Sequence, residues 1–374
     1  MRFIGLLENL KRGLNIVGHI TTKNINLPIL NNILIKAENG NIELISTNLE
    51  IGIIHQLRGK VEHDGQFTVD AKLVSDYVSL LSGGDKVVFE EKEGMMKIEN
   101  GGYKTKIKGE SAKEFPLIPT IPKENAIICS AEKLKESLNS VVFAVSNSEN
   151  RAELTGVLFS FKKNRLTLAA TDSYRLAERE IEIKTDGVDE EEGHRVIVPA
   201  KTVQEVLRIL NNFEGKEDGN EVKIYLAENQ ILFTVDSVEL ISRLINGQYP
   251  DYKQIIPAKS QTTLVIERGE LIRAVKAAAL FSKTGVNDIN LRITKNKVVV
   301  SAFSGSSGES KIELSAEING GENEITINHR YLVEGLNNIN NEVVRLEILN
   351  SDAPCLLKPE KEDGYLYIVM PIRQ

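Results

Sequence analysis

No stretch of this 374-residue chain strings together the ~18 apolar residues that a membrane-spanning helix needs, so no membrane association is expected. Cysteine is scarce. Cys129 and Cys355 stand far apart and without metal-type spacing, which excludes a disulfide framework and fits reduced core thiols in a cytoplasmic protein. The histidines, at positions 19, 55, 63, 194 and 329, are scattered and none sits in an HExxH frame. The phosphate-cradling GxxxxGKS/T, the dinucleotide GxGxxG and the nucleophile-elbow GxSxG patterns are all missing. No catalytic residue, metal or cofactor is therefore expected. The opening MRFIGLLENLKRGL breaks its apolar residues with charge, unlike a secretory signal. Positive charge is also lacking overall. At a net charge of −7, any contact with nucleic acid must come from a locally basic surface.

What the chain does have is a threefold repeat. Two proline-rich segments, EFPLIPTIPKE at 114–124 and QYPDYKQIIPAK at 248–259, interrupt helix and ladder alike and read as linkers. They suggest domains at 1–123, 124–252 and 253–374, and each third then reads in the same order. A helix comes first: Leu7, Leu10, Leu14 and Val17, then Leu134, Leu138, Val141 and Val145, then Leu271, Val275 and Ala278 recur at helical spacing. A hairpin follows, with 33–48 aligning without gaps on 157–172 and more loosely on 289–304. Next comes a strand running into a second helix, at 67–81, 196–210 and 325–339, with Val69, Val198 and Ile327 each 129 residues apart. Asp70, Pro199 and Asn328 stand where those second helices begin, all residues suited to a helix N-terminus. Closing strands complete each third, the period of two being plainest in 223–245. The expected fold class is α+β: three copies of a domain with two helices packed on antiparallel sheets. Each copy could itself be a duplication.

The ordered segments LPILNNILIKA (27–37), FPLIP (115–119), TDSYRLA (171–177), VIVPAK (196–201), YPDYKQIIP (249–257) and VMPIRQ (369–374) resemble the beta subunit of bacterial DNA polymerase III, the sliding-clamp family, across the whole chain. The resemblance implies a DNA clamp fold in which two chains close head to tail into a ring, with helices lining the hole and strands outside. It implies a non-enzymatic processivity factor, with duplex DNA, the replicative DNA polymerase, a clamp loader, other proteins carrying clamp-binding motifs and a second copy of the chain as partners. Residue by residue, it implies a peptide-binding groove at Leu154, Thr171, Tyr174, Arg175, Leu176, Pro250, Val369, Met370, Pro371 and Arg373, with Asn328 and Tyr331 at its rim. Arg175 and the backbone around it would fix the polar ends of a peptide, and Asp172 would cap the turn. Gln254, Ile372 and Gln374 depart from commoner family residues, which bears on peptide preference.

The six helical spans hold eleven basic and nine acidic residues, leaving them at +2 and the rest of the chain at −9. Lys11, Arg12, Lys72, Lys201, Arg208, Arg273 and Lys276 on helices, and Lys23, Asn24 and Arg151 on loops, are the expected DNA-facing positions, Asn24 standing where many members carry arginine. Phosphate contacts of this kind are independent of base sequence. The dimer interface is expected at Lys104, Lys106 and Ile107, the last as its apolar point, against Leu280 and Phe281. Two other classes stay open on the residues alone: an enzyme built around Asp172, Tyr174 and Arg175, which would need a further convergent group, and a repeat-built scaffold without DNA.

Overall fold

The structure, a computed structural model, describes residues 1–21, 26–185, 193–213, 220–361 and 364–373. The six α-helices among the described residues are α1 (Leu7–Gly18), α2 (Ala71–Ser79), α3 (Ala131–Val142), α4 (Ala200–Asn211), α5 (Arg268–Ala279) and α6 (His329–Asn337). Each third thus holds two, as the repeat suggests. Leu10, Leu14 and Val17 of α1 and Leu271, Val275 and Ala278 of α5 are buried, so the apolar stripe is the packed face. The caps are where the sequence placed them. Asp70 accepts from Leu73 N at 2.7 Å and Asn328 from Arg330 N at 2.9 Å, each relieving an orphan donor of the first turn.

One expectation needs correction. The helical spans counted for charge, 4–20, 129–145 and 266–282, take in residues that belong to strands: Arg2–Leu6, Ile127–Ser130 and Thr262–Glu267 run straight into α1, α3 and α5. No proline marks these junctions, and the apolar pattern of each strand runs on into its helix. Phe3 shows the strand's true packing, fully buried and stacked on Phe89 with ring centroids 5.0 Å apart.

The chain forms two compact units. One comprises Met1–Glu132, Lys184–Val188 and Gln204–Leu244; the other comprises Lys133–Ile183, Asp189–Val203 and Ile245–Gln374. In the first, fourteen strands form one sheet in which Ile51–Leu57 pairs with Val238–Arg243. In the second, a nine-stranded sheet contains the pair Arg175–Glu182 and Tyr365–Val369, beside a four-stranded sheet that ends on Gly308–Ser315. The described pairings are antiparallel. The middle third therefore divides: its hairpin strands Gly156–Lys162 and Arg165–Thr171 join the nine-stranded sheet, while Glu221–Ala227 and Gln230–Val235 join the fourteen-stranded one. The halves of a repeat hydrogen-bond to its neighbours, which closes sheet edges that an isolated domain would leave open.

Cys129 and Cys355 are free and buried, and burial pushes each thiol up to about 12, which removes thiolate reactivity. Among the described residues no helix is long and apolar enough to cross a membrane, and no cluster of His, Cys, Asp and Glu could hold a metal ion.

Candidate functional site

The turn at 172–174 connects Arg165–Thr171 to Arg175–Glu182, and the latter pairs with the last strand so that Arg175 lies opposite Val369 and Leu176 opposite Ile368. Successive side chains leave opposite faces of a strand. That alternation divides the expected groove residues into two sets with different chemistry.

On the helix side sits Arg175. Its Nε donates to Asp172 Oδ2 at 3.0 Å, one Nη to the Glu334 carboxylate and the other to Phe143 O at 2.9 Å. The guanidinium also lies over the Tyr331 ring, 4.7 Å from its centroid. Burial alone would lower its pKa, but the hydrogen bond to Glu334 and the Asp172 charge outweigh this and hold it above its usual value. The side chain is only 9% exposed. Asp172 closes the turn as well, accepting from Tyr174 N at 2.9 Å and Arg175 N at 3.0 Å, while Thr171 Oγ1 donates to Arg175 O at 2.6 Å. Tyr367, on the same face, donates its hydroxyl to Tyr331 O at 2.9 Å. It lies so close to α6 that a Cβ on Gly335 would fall 2.2 Å from its ring.

On the other side lies an apolar cluster: Leu158, Ala169, Leu176, Ile197, Tyr252, Leu356 and Ile368 are buried, and Tyr249, Leu366 and Met370 pack on it partly exposed. Met370 N donates to Tyr174 O at 2.9 Å and Ile372 N to Thr326 O at 2.8 Å, so the C-terminal segment is pinned along this edge. Tyr174, 63% exposed, stands at its rim, as do the half-buried Pro250 and Pro371 and the exposed Arg373.

This geometry corrects part of the expected groove. Arg175 is 9% exposed and already holds Asp172, Glu334 and Phe143 O, which leaves little of its guanidinium for the polar ends of a peptide. Val369 shares its side of the sheet, and Leu154 and Thr171 are also buried. Ile368, Tyr249 and Leu366 are part of this apolar cluster and are absent from the expected set. The signal was available: in YLYIVM the residues 366, 368 and 370 alternate onto one face.

The helical cations also divide. Lys72, Lys201, Arg273 and Lys276 are exposed. Arg208 instead donates to Asn15 O at 3.2 Å and Ile16 O at 2.5 Å and pairs with Glu205. Lys11 donates to Leu81 O at 3.0 Å, and Arg12 stacks over Phe213 at 4.0 Å. These three, expected to face DNA, are half-buried and engaged within the chain. Arg151 is half-exposed, bound to Glu153 and Ser173. Lys23 and Asn24 lie outside the described residues. At the expected interface Lys104 and Lys106 are exposed and Leu280 is 77% exposed, but Ile107 is only 4% exposed. Ile107 turns into its own chain's core, between the half-buried Thr105 and Gly109, which leaves little of its side chain for a second chain.

The chain matches the N-terminal, central and C-terminal domains of the DNA polymerase III beta subunit over residues 1–119, 129–251 and 253–373. It belongs to the DNA polymerase III beta subunit family. It is similar to the beta sliding clamp of Staphylococcus epidermidis, 30% identical over 93% of this chain and 92% of that one, and to that of Staphylococcus aureus, 31% identical with the same coverage. Among solved structures, the DNA polymerase III subunit beta of Pseudomonas aeruginosa superposes with a TM-score of 0.93 at 26% identity, covering all of both chains. The Bacillus subtilis DNA polymerase sliding clamp gives 0.92 at 26% identity, covering 100% of this chain and 99% of that one. The three-domain clamp fold and the function of a polymerase processivity factor follow from this membership. The enzymatic alternative around Asp172 and Arg175 is not favoured: the polymerase III beta subunits are non-catalytic, and here both residues complete a turn and an ion-paired joint.

Proposed function

We propose that two copies of this chain close head to tail around duplex DNA, are placed there by a clamp loader, and tether the replicative polymerase and other motif-bearing proteins through the apolar face at Leu176, Ile368 and Met370. The protein acts in the cytoplasm without catalysis of its own, and its repeats divide at 123/124 and 252/253. The observation that carries the tether is the cluster just described. Leu176 and Ile368 form a floor, Met370, Tyr249 and Leu366 leave part of their surface exposed, and Tyr174, Pro250, Pro371 and Arg373 surround them. An apolar pocket with a few polar groups at its edge suits a short peptide's hydrophobic anchors. Leu154, Thr171, Arg175 and Val369 support that site from behind.

Ring closure draws support from two strand edges. Tyr103–Lys108 pairs with Met95–Asn100 on one side; on the other, only residues 109–111 of that strand meet Phe67–Val69. Gly308–Ser315 is the outer strand of its sheet. Each edge presents unpaired backbone groups of the kind that a second chain satisfies. Lys72, Lys201, Arg273 and Arg151 would then face the duplex through weak, salt-sensitive phosphate contacts, while Lys276, though expected among them, lies on α5 beside the seam between copies.

Met370→Ala should weaken binding of a polymerase-derived peptide, read by fluorescence anisotropy, by about 2 kcal/mol or more, the usual cost of losing a hot-spot contact. Removal of residues 370–374 should abolish binding and leave self-association unchanged. Undiminished binding by the truncated protein would place the site elsewhere.

A further inference from the structure

We propose that Asp76, on α2, is the third of a set of acidic latches and closes on the end of α5 in a second copy of this chain, where Lys276 and Lys283 flank Leu280. The inference rests on the ring proposed above and names the side chains that seal it.

The 129-residue step that carries Val69 to Val198 and Ile327 also carries Asp76 to Glu205 and Glu334. All three acids therefore occupy one position on the second helix of their repeats. Two of them do the same work. The Glu205 carboxylate meets His19 Nδ1 and accepts from Arg208 Nε at 2.9 Å, and Arg208 donates onward to Asn15 O and Ile16 O in the last turn of α1. The Glu334 carboxylate accepts from Arg175, which donates onward to Phe143 O, the residue just past α3. His19 and Phe143 are equivalent, each directly following its helix. In both places the acid of one repeat holds a cation against the last carbonyls of the previous repeat's first helix. Those carbonyls lack intrahelical donors and form the negative end of the helix dipole, so a cation belongs there and the acid balances it.

One first helix and one second helix are left over. The residue following α5 is Leu280, largely exposed, with exposed Lys276 one turn before it and exposed Lys283 just after. On α2, Asp76 is exposed and no side-chain bond or ion pair is seen for it among the described residues. Its neighbours are bare as well: Leu73 and Leu80 are exposed, whereas their equivalents on α4, Thr202 and Ile209, are buried, as is Val206, the equivalent of the half-buried Tyr77. A face that is covered in the second repeat is uncovered in the first. The three repeats leave α2 without a first-helix end to hold and the end of α5 without an acid to hold it, so the occupant that continues the pattern is the α5 end of a second copy. The chemistry matches: exposed leucines meet exposed leucine, and carboxylate meets lysine. Aspartate reaches one methylene less far than glutamate, and the four-carbon stem of lysine makes up the difference.

The test uses the full chain in analytical ultracentrifugation. Asp76→Lys places like charges together and should raise the dimer dissociation constant by about tenfold or more. Because Asp76 is exposed, the variant should melt as the parent does. A charge exchange, Asp76→Lys with Lys283→Asp or with Lys276→Asp, should restore most of the lost association. An Asp76→Lys dimer as tight as the parent, or no recovery in either exchange, overturns the latch while leaving the ring intact. A parent chain that is monomeric throughout the micromolar range overturns the ring and the latch with it.

Discussion

The chain makes the same joint twice and finishes it differently. Gly52 pairs with Ile241 in the first unit, and Leu176 pairs with Ile368 in the second, at equivalent places in the repeat. Over the first joint the linker closes down: Phe115 and Ile121 are buried, and Ile118 lies so near Gly52 that a Cβ there would sit 2.9 Å from its Cδ1. Over the second, Leu176 fills the glycine's place and the apolar surface continues to partly exposed Tyr249, Leu366 and Met370. One backbone arrangement thus serves as a seal in one unit and, on the function proposed above, as a docking face in the other. The difference lies in a few side chains and in which segment covers them.

The helix sides differ too, and the largest expected effect lies there. Arg175 is 9% exposed with three partners, whereas Arg208, in the corresponding role, is 21% exposed. Arg175→Ala leaves Asp172 and the Phe143 carbonyl without their partner and should cost about 3–5 kcal/mol in urea unfolding, as removal of one member of a buried ion pair does. Arg208→Ala should cost about 1.5–3 kcal/mol, the worth of hydrogen bonds to charged groups. Equal losses would mean that the two joints are energetically alike despite their different burial.

Acid should separate the joints next. His55, opposite Val238 in the first joint, has its pKa lowered from 6.5 to about 4, by burial first and then by the Arg12 charge, with Asp236 opposing. Arg179, opposite Tyr365, holds the corresponding place in the second joint. The unfolded chain takes up the His55 proton near pH 6.5 and the folded chain resists until about 4. This contribution to stability is complete above pH 6.5 and falls away as pH drops toward 4, by about 3 kcal/mol in all. Unfolding free energies measured from pH 7 to pH 4.5 should fall less steeply in His55→Gln than in the parent. Identical slopes would remove His55 from the account.

Gly52→Leu would give the first joint the second's side chain. It should displace Ile118 and cost about 1–3 kcal/mol, the usual range for overpacking, read as a shift in the urea midpoint. A neutral outcome would show that the linker yields freely and that the seal is not tight.

Much of this was legible in the sequence, because period and capping are local properties. The six helices, the hairpins, and Asp70 and Asn328 as caps all follow from spacing and residue type. Sheets that run from one repeat into the next depend on which edge meets which, and no local pattern encodes that. The helical cations misled for a related reason. A long side chain on an amphipathic helix looks solvent-facing, yet Arg12 and Arg208 turn back over an aromatic ring and a helix end. At the groove, the family's residue set placed Arg175 and Leu176 together, while the plain alternation of a strand already sends them to opposite faces. Ile368 was open to the same reasoning.

The central claim is that the protein holds DNA by enclosing it. Its helices carry little net positive charge, and Lys11, Arg12 and Arg208 are engaged within the fold, so direct affinity for phosphate should be weak and lost with salt. The decisive measurement is retention after loading by the cognate clamp loader onto nicked circular DNA, followed by gel filtration in moderate salt, with and without cutting of the circle by a restriction enzyme. Enclosure predicts that the protein stays with the circle and leaves once the DNA is linear. Equal retention on both forms, or failure to load, would contradict it.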